Sequence, residues 1–286
     1  MSGVRSQAER LLEQAAEQLR TGGVPSPEVD AELLLSHVLG TPRAMVRRAS
    51  IDATQRQVYL EMIEARARRV PLQHITGSTG FRYVDVEVGP GVFVPRPETE
   101  QVAGWAVEAV QAVLSEGRTP VVVELCAGSG AISLAIVHEV PRAQVHAVEL
   151  DPGAHAWAER NLADTGVDLR LGDMADAFAD LDGTVDVVVA NPPYIPLDAW
   201  ESVAPEARDH DPSLALWSGE DGLDAMRVLE QVAWRLLKPG GVVGAEHADA
   251  QGEAAPAVFA GRWSEVRDHH DLADRPRYVT ARKPAH

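Results

Sequence analysis

Cysteine is nearly missing from this chain: its 286 residues hold one, Cys126. That excludes an internal disulfide framework and a zinc cluster built on cysteines. Long apolar runs are missing too. No stretch approaches the ~20 residues that a membrane-spanning helix requires. The opening residues, with Arg5, Glu9, Arg10, Glu13 and Glu17 among them, lack the apolar core of a secretory leader. A cytoplasmic, reducing setting with no membrane partner is the expectation. Basic residues are scarce: Lys and Arg number 26 against 43 Asp and Glu, a formal charge of −17. The shortfall is uneven. Residues 1–80 carry ten basic and nine acidic side chains, whereas the other 206 carry 16 and 34, or −18. A surface that acidic repels phosphate backbones and disfavours nucleic acid as a direct partner; the same acids keep a protein soluble.

What is present reads as an ordinary globular composition, 45% hydrophobic and 24% charged, with length for about two domains. The first part reads as short helices. Val4, Ala8, Leu11, Leu12, Ala15 and Leu19 recur at helical spacing, and Gly22-Gly23 ends the pattern. Ser26-Pro27 is a second start signal, followed by an apolar run and Gly40. Thr41-Pro42 repeats that start, and a fourth helix is expected from about Thr54 to Arg69, ended by Pro71. Residues 76–97 are punctuated by Gly and Pro around two short runs, Phe81 to Val88 and Val92 to Val94, which predicts a hairpin linker. Strand–helix alternation follows. Val121 to Leu125, Val145 to Val148, Val185 to Ala190 and Val242 to Ala245 are the expected strands, and Ala131 to Val137 an apolar helix. Such alternation predicts an α/β fold with a mostly parallel sheet covered by helices.

Two stretches carry chemistry. Cys126-Ala127-Gly128-Ser129-Gly130 lies between an expected strand and helix, where glycines let a ligand approach the backbone and the helix offers free N–H groups. Glu149 ends the next strand, where a carboxylate can accept hydrogen bonds from ribose hydroxyls. The third glycine of a dinucleotide fingerprint is absent, its place taken by Ser133. The second stretch, Asn191-Pro192-Pro193-Tyr194, follows the strand ending at Ala190, and so stands at the carboxyl edge of the sheet where ligands of open α/β sheets bind. An amide or exocyclic amino nitrogen is a poor nucleophile because its lone pair is delocalised. The Asn191 carboxamide oxygen and the Pro192 carbonyl can take both N–H bonds of a planar NH2 group. Pro192 and Pro193 stiffen the loop, and Tyr194 offers a flat face to the planar group. Orientation plus stabilisation of N–H charge permits attack on an electrophilic methyl group.

These residues, with Gly172-Asp173, resemble a class I S-adenosylmethionine-dependent methyltransferase acting on planar nitrogen. More narrowly, Pro71 to Gly77, Pro95 to Glu100, Asp211 to Leu216, Gly219 to Leu223 and Glu246-His247 are similar, in order along nearly the whole chain, to the bacterial peptide chain release factor glutamine methyltransferases. The resemblance implies a Rossmann-like, mostly parallel sheet with a small N-terminal helical domain. It implies that Cys126, Ala127, Gly128, Ser129 and Gly130 wrap the methionine part of S-adenosylmethionine, that Glu149 holds the ribose, and that Asp173 and Met174 flank the adenine. Asn191, shared with the cofactor site, and Pro192, Pro193 and Tyr194 would receive the substrate glutamine, with Asn191, Pro192 and Tyr194 catalytic. S-adenosylhomocysteine is the implied by-product, and no metal is needed. The family usually has glycine at Cys126, commonly an aromatic at Met174, and more often Asp at Glu124. Cysteine is small enough for its position if φ stays negative, and methionine can pack on adenine through its polarisable sulfur.

The implied organisation is a helical substrate-docking domain over residues 1–75, a linker over 76–97 and a catalytic domain over 98–286. The competing readings are an adenine-N6 nucleic-acid methyltransferase, which would need a basic stripe, and a catalytically silent binding protein, which has no use for an intact Asn191 to Tyr194. Cys126 as a covalent nucleophile lacks a signalled His partner. His247, His269 and His270 lack metal-ligand spacing. Arg96 and Glu100 are either site-lining residues or a solvated pair at a proline-rich elbow.

Overall fold

The computed structural model describes residues 6–285; Val4 and Arg5, two residues singled out above, lie outside them. In chain order the helical part comprises α1 (Gln7–Thr21), α2 (Pro27–Leu39), α3 (Ala53–Ala67) and α4 (Leu72–Thr76). There follow β1 (Ser78–Phe81), β2 (Val84–Glu87), α5 (Thr99–Ser115), β3 (Val121–Leu125), α6 (Ala131–Glu139), β4 (Gln144–Glu149) and α7 (Pro152–Asn161). Then come β5 (Asp168–Leu171), β6 (Val185–Ala190), α8 (Pro205–His210), α9 (Asp224–Leu236) and β7 (Leu237–Glu246), with α10 (Ala254–Val258), β8 (Ser264–His270) and β9 (Pro276–Arg282) last.

The chain forms two compact units, one running through Ser78 and taking in Ala204–His210, the other made of Thr79–Val203 and Asp211–His286. In the first, α1 opens with a reciprocal cap: Ser6 Oγ accepts from Glu9 N at 3.0 Å and the Glu9 carboxylate from Ser6 N at 2.8 Å. Gly22 is where α1 meets α3, since a Cβ there would stand 2.4 Å from the Ala67 carbonyl oxygen. Thr41-Pro42 starts no α-helix but a 3-10 turn, Arg43–Arg48. The third α-helix begins after Asp52, whose side chain caps Gln55 N at 2.8 Å. Leu19, Leu34, Leu35, Tyr59 and Ile63 fill the core, and the Tyr59 hydroxyl donates to the Ala31 carbonyl at 3.1 Å. Arg66, buried, donates to Asp30 at 2.8 Å and lies 3.0 Å from Glu206 of α8. Arg69 grips the same Glu206 with two bonds of 2.7 and 2.6 Å.

The hairpin differs from the expectation. The two-stranded sheet is β1 with β2, turning at Arg82-Tyr83, where Arg82 adopts φ +50 without any glycine to signal it. Val92 and Val94 are buried but form no strand. The Gly89–Gly91 cluster is a turn closed by Val92 N, which donates to the Gly89 carbonyl at 3.4 Å, and Trp157 Nε1 donates to the Pro90 carbonyl at 3.2 Å.

The second unit is a seven-stranded sheet in the order β5-β4-β3-β6-β7-β9-β8. The first five strands run parallel, and β9 runs antiparallel to both of its neighbours, β7 and β8. Alternate side chains serve two cores. Val187 and Val189 pack on the α5 and α6 side, Val188 and Ala190 on the α9 and α10 side. Strand order reverses between β3 and β6, leaving a crevice at their carboxyl ends. Register decides what stands there. Leu125 pairs with Val148 on one side and Ala190 on the other, and Ala190 pairs with Ala245. One residue further along each strand is therefore Glu149, Cys126, Asn191 and Glu246, set in a row across the sheet.

Candidate active site

A cavity of about 370 Å³ opens at that row, within the usual size of a small-molecule site. Cys126, Ala127, Gly128, Ser129, Glu149, Asp173, Met174, Asn191, Pro193 and Tyr194 all line it. Gly130 and Pro192 do not. Gly130 is the left-handed residue, φ +78, that leads into α6, and a Cβ on it would press within 2.9 Å of Leu162. The Pro192 ring is buried beneath the loop.

The cofactor side of the cavity is built from backbone and acid. Gly128, at φ +57, has nothing within 4 Å of where a Cβ would stand, so its backbone face is open to a ligand. Glu149 Oε2 accepts from Gly128 N at 2.7 Å and Oε1 from Asp151 N at 2.8 Å. The carboxylate keeps lone-pair capacity to accept a ribose hydroxyl. Burial pushes the Glu149 pKa up, against the pull of the N–H groups of Asp151, Gly128 and Leu150. Glu124 is fully buried in β3, and its Oε2 accepts both Ser133 N, at 2.9 Å, and the Ser133 hydroxyl. The serine that breaks the glycine fingerprint thus fastens α6 to the strand before it. Burial, with the Glu149 charge adding to it, raises Glu124 to about 8, against two hydrogen bonds from Ser133.

Cys126 corrects one expectation: its φ is +58, not negative. The backbone keeps the left-handed turn that glycine would make most easily, and the β-carbon is accommodated there. The thiol lies 3.7 Å from Met174 Sδ, so the two departures from the family pattern touch each other. Burial pushes this thiol well above the ordinary range, and the charges of Glu149, Glu124 and Asp173 push it further. A thiol held protonated among carboxylates is no nucleophile. Asp173 is exposed and caps its own turn, accepting Ala175 N at 2.9 Å.

On the other side, Asn191 Nδ2 donates to Thr99 Oγ1 at 3.2 Å, which leaves the carboxamide oxygen as its free acceptor. The Tyr194 ring lines the cavity while its hydroxyl donates to Glu246 Oε1 at 3.2 Å. Burial, then the Glu246 charge, keeps that phenol protonated far above its usual range. Arg96 reaches the buried Asp211 at 3.0 Å, and Glu100 accepts Arg82 N at 3.1 Å, so the two side chains make separate contacts rather than a solvated pair. Reading the sequence assigned no role to Thr99 or Glu246. The signal for Glu246 was present, because it ends the strand Val242 to Ala245 as Glu149 ends its own. His247 is wholly buried between Asp268, at 2.9 Å, and the Ala248 carbonyl, at 2.8 Å. Among the described residues no group of three or more His, Cys, Asp or Glu is placed to hold a metal ion, and no helix is long and apolar enough to cross a membrane.

Residues 10–77 match the model of the PrmC N-terminal domain and residues 105–204 that of the methyltransferase small domain. A release factor glutamine methyltransferase of Streptomyces coelicolor is 56% identical over 272 residues, covering 94% of this chain and 96% of that protein. The chain belongs to the release factor glutamine methyltransferase family. The relative of the same name from Mycolicibacterium smegmatis is 42% identical over 96% of this chain and 97% of its own. A 4-amino-L-phenylalanine/4-methylamino-L-phenylalanine methyltransferase of Streptomyces pristinaespiralis is 39% identical over 90% of this chain and 89% of its own. Among solved structures, a methyltransferase from Pyrococcus furiosus matches 82% of this chain and 100% of that chain at 17% identity, with a TM-score of 0.49. The open backbone face of Gly128 and the Glu149 carboxylate beside it at this cavity fit the ribose of a nucleoside cofactor.

Proposed function

We propose that this chain transfers a methyl group from S-adenosylmethionine to the side-chain amide nitrogen, N5, of a glutamine in peptide chain release factors. One observation carries the reading: register sets Glu149 and Asn191 in one row at one cavity, with Cys126 between them. The Cys126 to Ser129 backbone and Glu149 would hold the cofactor's amino-acid and ribose parts, with Met174 beside the base. When bound, the cofactor supplies an electrophilic sulfonium methyl. The Asn191 oxygen would accept an N–H bond of the substrate NH2, and the backbone carbonyl of Pro192, whose ring is buried, is the proposed second acceptor; together they would fix its plane and stabilise the charge that nitrogen gains as the new N–C bond forms. The Tyr194 ring covers the planar group and keeps water from it. The methyl's bond to sulfur would break as the N–C bond forms, leaving S-adenosylhomocysteine, and one N–H proton would pass from the nitrogen to solvent. The relative from S. pristinaespiralis supports the same chemistry, since its named substrates carry nitrogen on a planar ring.

A single amide side chain offers little binding energy, so affinity for a whole release factor must come from surface away from the reacting atoms. The helical unit, near neutral beside an acidic catalytic sequence, is the proposed docking domain. Release factors are the protein partner, and the cytoplasm, where translation occurs, is the proposed location. The test offers the full chain and labelled S-adenosylmethionine to release factor, DNA, ribosomal proteins and 4-amino-L-phenylalanine in parallel. Label on the release factor glutamine is the expected result; label on any of the others and not on release factor overturns the proposal.

A further inference from the structure

Beside the Asn191 to Tyr194 loop lies a small buried group of hydrogen-bonding side chains, of which Thr99 also lines the cavity. Thr99 opens α5 and is 4% exposed; Glu246 ends β7 and is 1% exposed. Glu246 Oε1 accepts the Tyr194 hydroxyl at 3.2 Å. Its Oε2 has no partner of hydrogen-bond geometry among the described residues, and the Thr99 hydroxyl faces the same carboxyl. On its other side Thr99 Oγ1 takes Asn191 Nδ2 at 3.2 Å.

A hydroxyl has one hydrogen and rotates to place it where the electrostatic return is greatest. A buried carboxylate with open lone pairs is the strongest acceptor within reach, and leaving it unmet is costly. The Thr99 hydrogen therefore turns to Glu246, and the Thr99 lone pairs turn to Asn191. Against lone pairs, an asparagine can present only its NH2 group. We propose that Thr99 and Glu246 are positioning residues, which set the polarity of this chain of hydrogen bonds so that the Asn191 carboxamide oxygen, not its NH2, faces the substrate nitrogen. Protonating Glu246 reverses the sense: the acid O–H becomes a donor to Thr99, the Thr99 hydrogen is freed toward Asn191, and the carboxamide flips. With its NH2 toward the cavity, Asn191 repels the N–H bonds it should accept.

The groups that face Glu246 bear on when this happens. Burial raises its pKa to about 7; Thr99, Arg277 of β9 and Tyr194 act to lower it, and Glu98 adds to the rise. The switch from inactive to active polarity thus falls close to neutral pH.

The inference rests on the assignment of Asn191 to the substrate NH2, and the test separates the two. In the full-length protein with release factor as substrate, Thr99→Val should lower kcat by about 10- to 100-fold, as for a small misplacement of a reacting pair. The KM for release factor and the calorimetric Kd for S-adenosylmethionine should stay unchanged, which also shows that the variant is folded. Thr99→Ser should restore kcat to within about threefold by returning the hydroxyl. Wild-type kcat should fall below pH about 7, and Glu246→Gln should lose that acid limb because it has no proton to gain. A readout independent of turnover is the Asn191 side-chain NH2 in cofactor-free protein, assigned by its disappearance in Asn191→Asp. Its hydrogen exchange should be slow in wild type and Thr99→Ser and fast in Thr99→Val. Wild-type kcat in Thr99→Val, equal losses in the Val and Ser variants, or an unchanged acid limb in Glu246→Gln each overturns the positioning role. If Asn191→Ala itself leaves the rate intact, it is the assignment of Asn191 that fails.

Discussion

Cys126 sits at φ +58, a region where a β-carbon costs about 1–2 kcal/mol and glycine nothing comparable. Glycine's greater freedom in the unfolded chain returns part of that difference. Cys126→Gly is accordingly expected to stabilise the protein by about 0.5–1 kcal/mol, and Cys126→Val, branched at the same carbon, to destabilise it by more. Urea denaturation of the three proteins checks both signs. Asn191 is the residue at which binding and chemistry separate. In the proposed reaction its oxygen would serve the substrate nitrogen, and its hydrogen bond runs to Thr99 rather than to the glycine loop, so Asn191→Ala should leave the calorimetric affinity for S-adenosylmethionine nearly unchanged. The methyl-transfer rate should fall by roughly 10²–10³, as when a preorganised charge stabiliser is removed. Equal losses in both would make Asn191 a wall of the cofactor pocket instead.

At the scale of elements, one row of sheet register does most of the assembly. Because parallel neighbours are in step at Val148, Leu125, Ala190 and Ala245, the residues that follow emerge together without any loop having to reach. A one-residue slip in β6 would send Asn191 to the opposite face of the sheet. The helical unit shows the opposite device, assembly across great sequence separation. Glu206 of α8 is bonded to Arg69, 137 residues earlier, and lies 3.0 Å from the buried Arg66. Burial pushes the Glu206 pKa up, but the hydrogen bonds from Arg69 and Arg66 outweigh it and hold the carboxyl down to about 2. Glu206→Ala leaves Arg69 without a carboxylate and Arg66 with Asp30 alone, a loss of about 2 kcal/mol for hydrogen bonds between charged groups. Stability from this carboxylate is present above its ordinary value of 4.5 and is lost as pH falls toward 2. The stability difference between wild type and Glu206→Ala should shrink over that range, as measured by denaturation at a series of pH values.

The whole molecule carries an unusual load of buried acid. Burial raises Asp211 to about 6, Glu246 to about 7 and Glu124 to about 8, each against hydrogen bonds or cations that pull it down. In the unfolded chain these groups ionise near 3.8 and 4.5. Between those values and 8 the folded protein therefore holds more protons than the unfolded one, and stability must fall as pH rises through that window. A tenfold difference in proton affinity between the two states is worth about 1.4 kcal/mol. Cofactor-free protein is expected to have its highest Tm near the acid end of the window and to lose several degrees by its upper end. Replacing Glu124 with Gln should flatten the upper part of the profile. A Tm that rises steadily over the same range would mean that the buried carboxyls are ionised throughout.

The sequence by itself determined the elements that rest on local patterning. The apolar spacing of α1, the proline start and glycine stop of α2, and the runs of valine in β3 and β6 specify helix or buried strand within one segment, because periodicity and capping are properties of neighbours along the chain. The motif Asn191 to Tyr194 was legible for the same reason, as contiguous residues whose chemistry makes sense together. Where the pattern misled, a local signal lost to packing. Gly and Pro marked a turn at Gly89–Gly91, yet the hairpin turns at Arg82-Tyr83. Cys126 went left-handed because the glycine-loop geometry beside Glu149 is fixed by the sheet and by Gly128, not by the residue itself. Only the tertiary structure decided that Glu206 belongs with Arg66 and Arg69, and that Thr99 and Glu246 stand behind Asn191. Those partners lie tens to more than a hundred residues apart, and no one-dimensional pattern records which strand ends beside which. That is settled by the register of a sheet, where burying two faces at once leaves a single alignment.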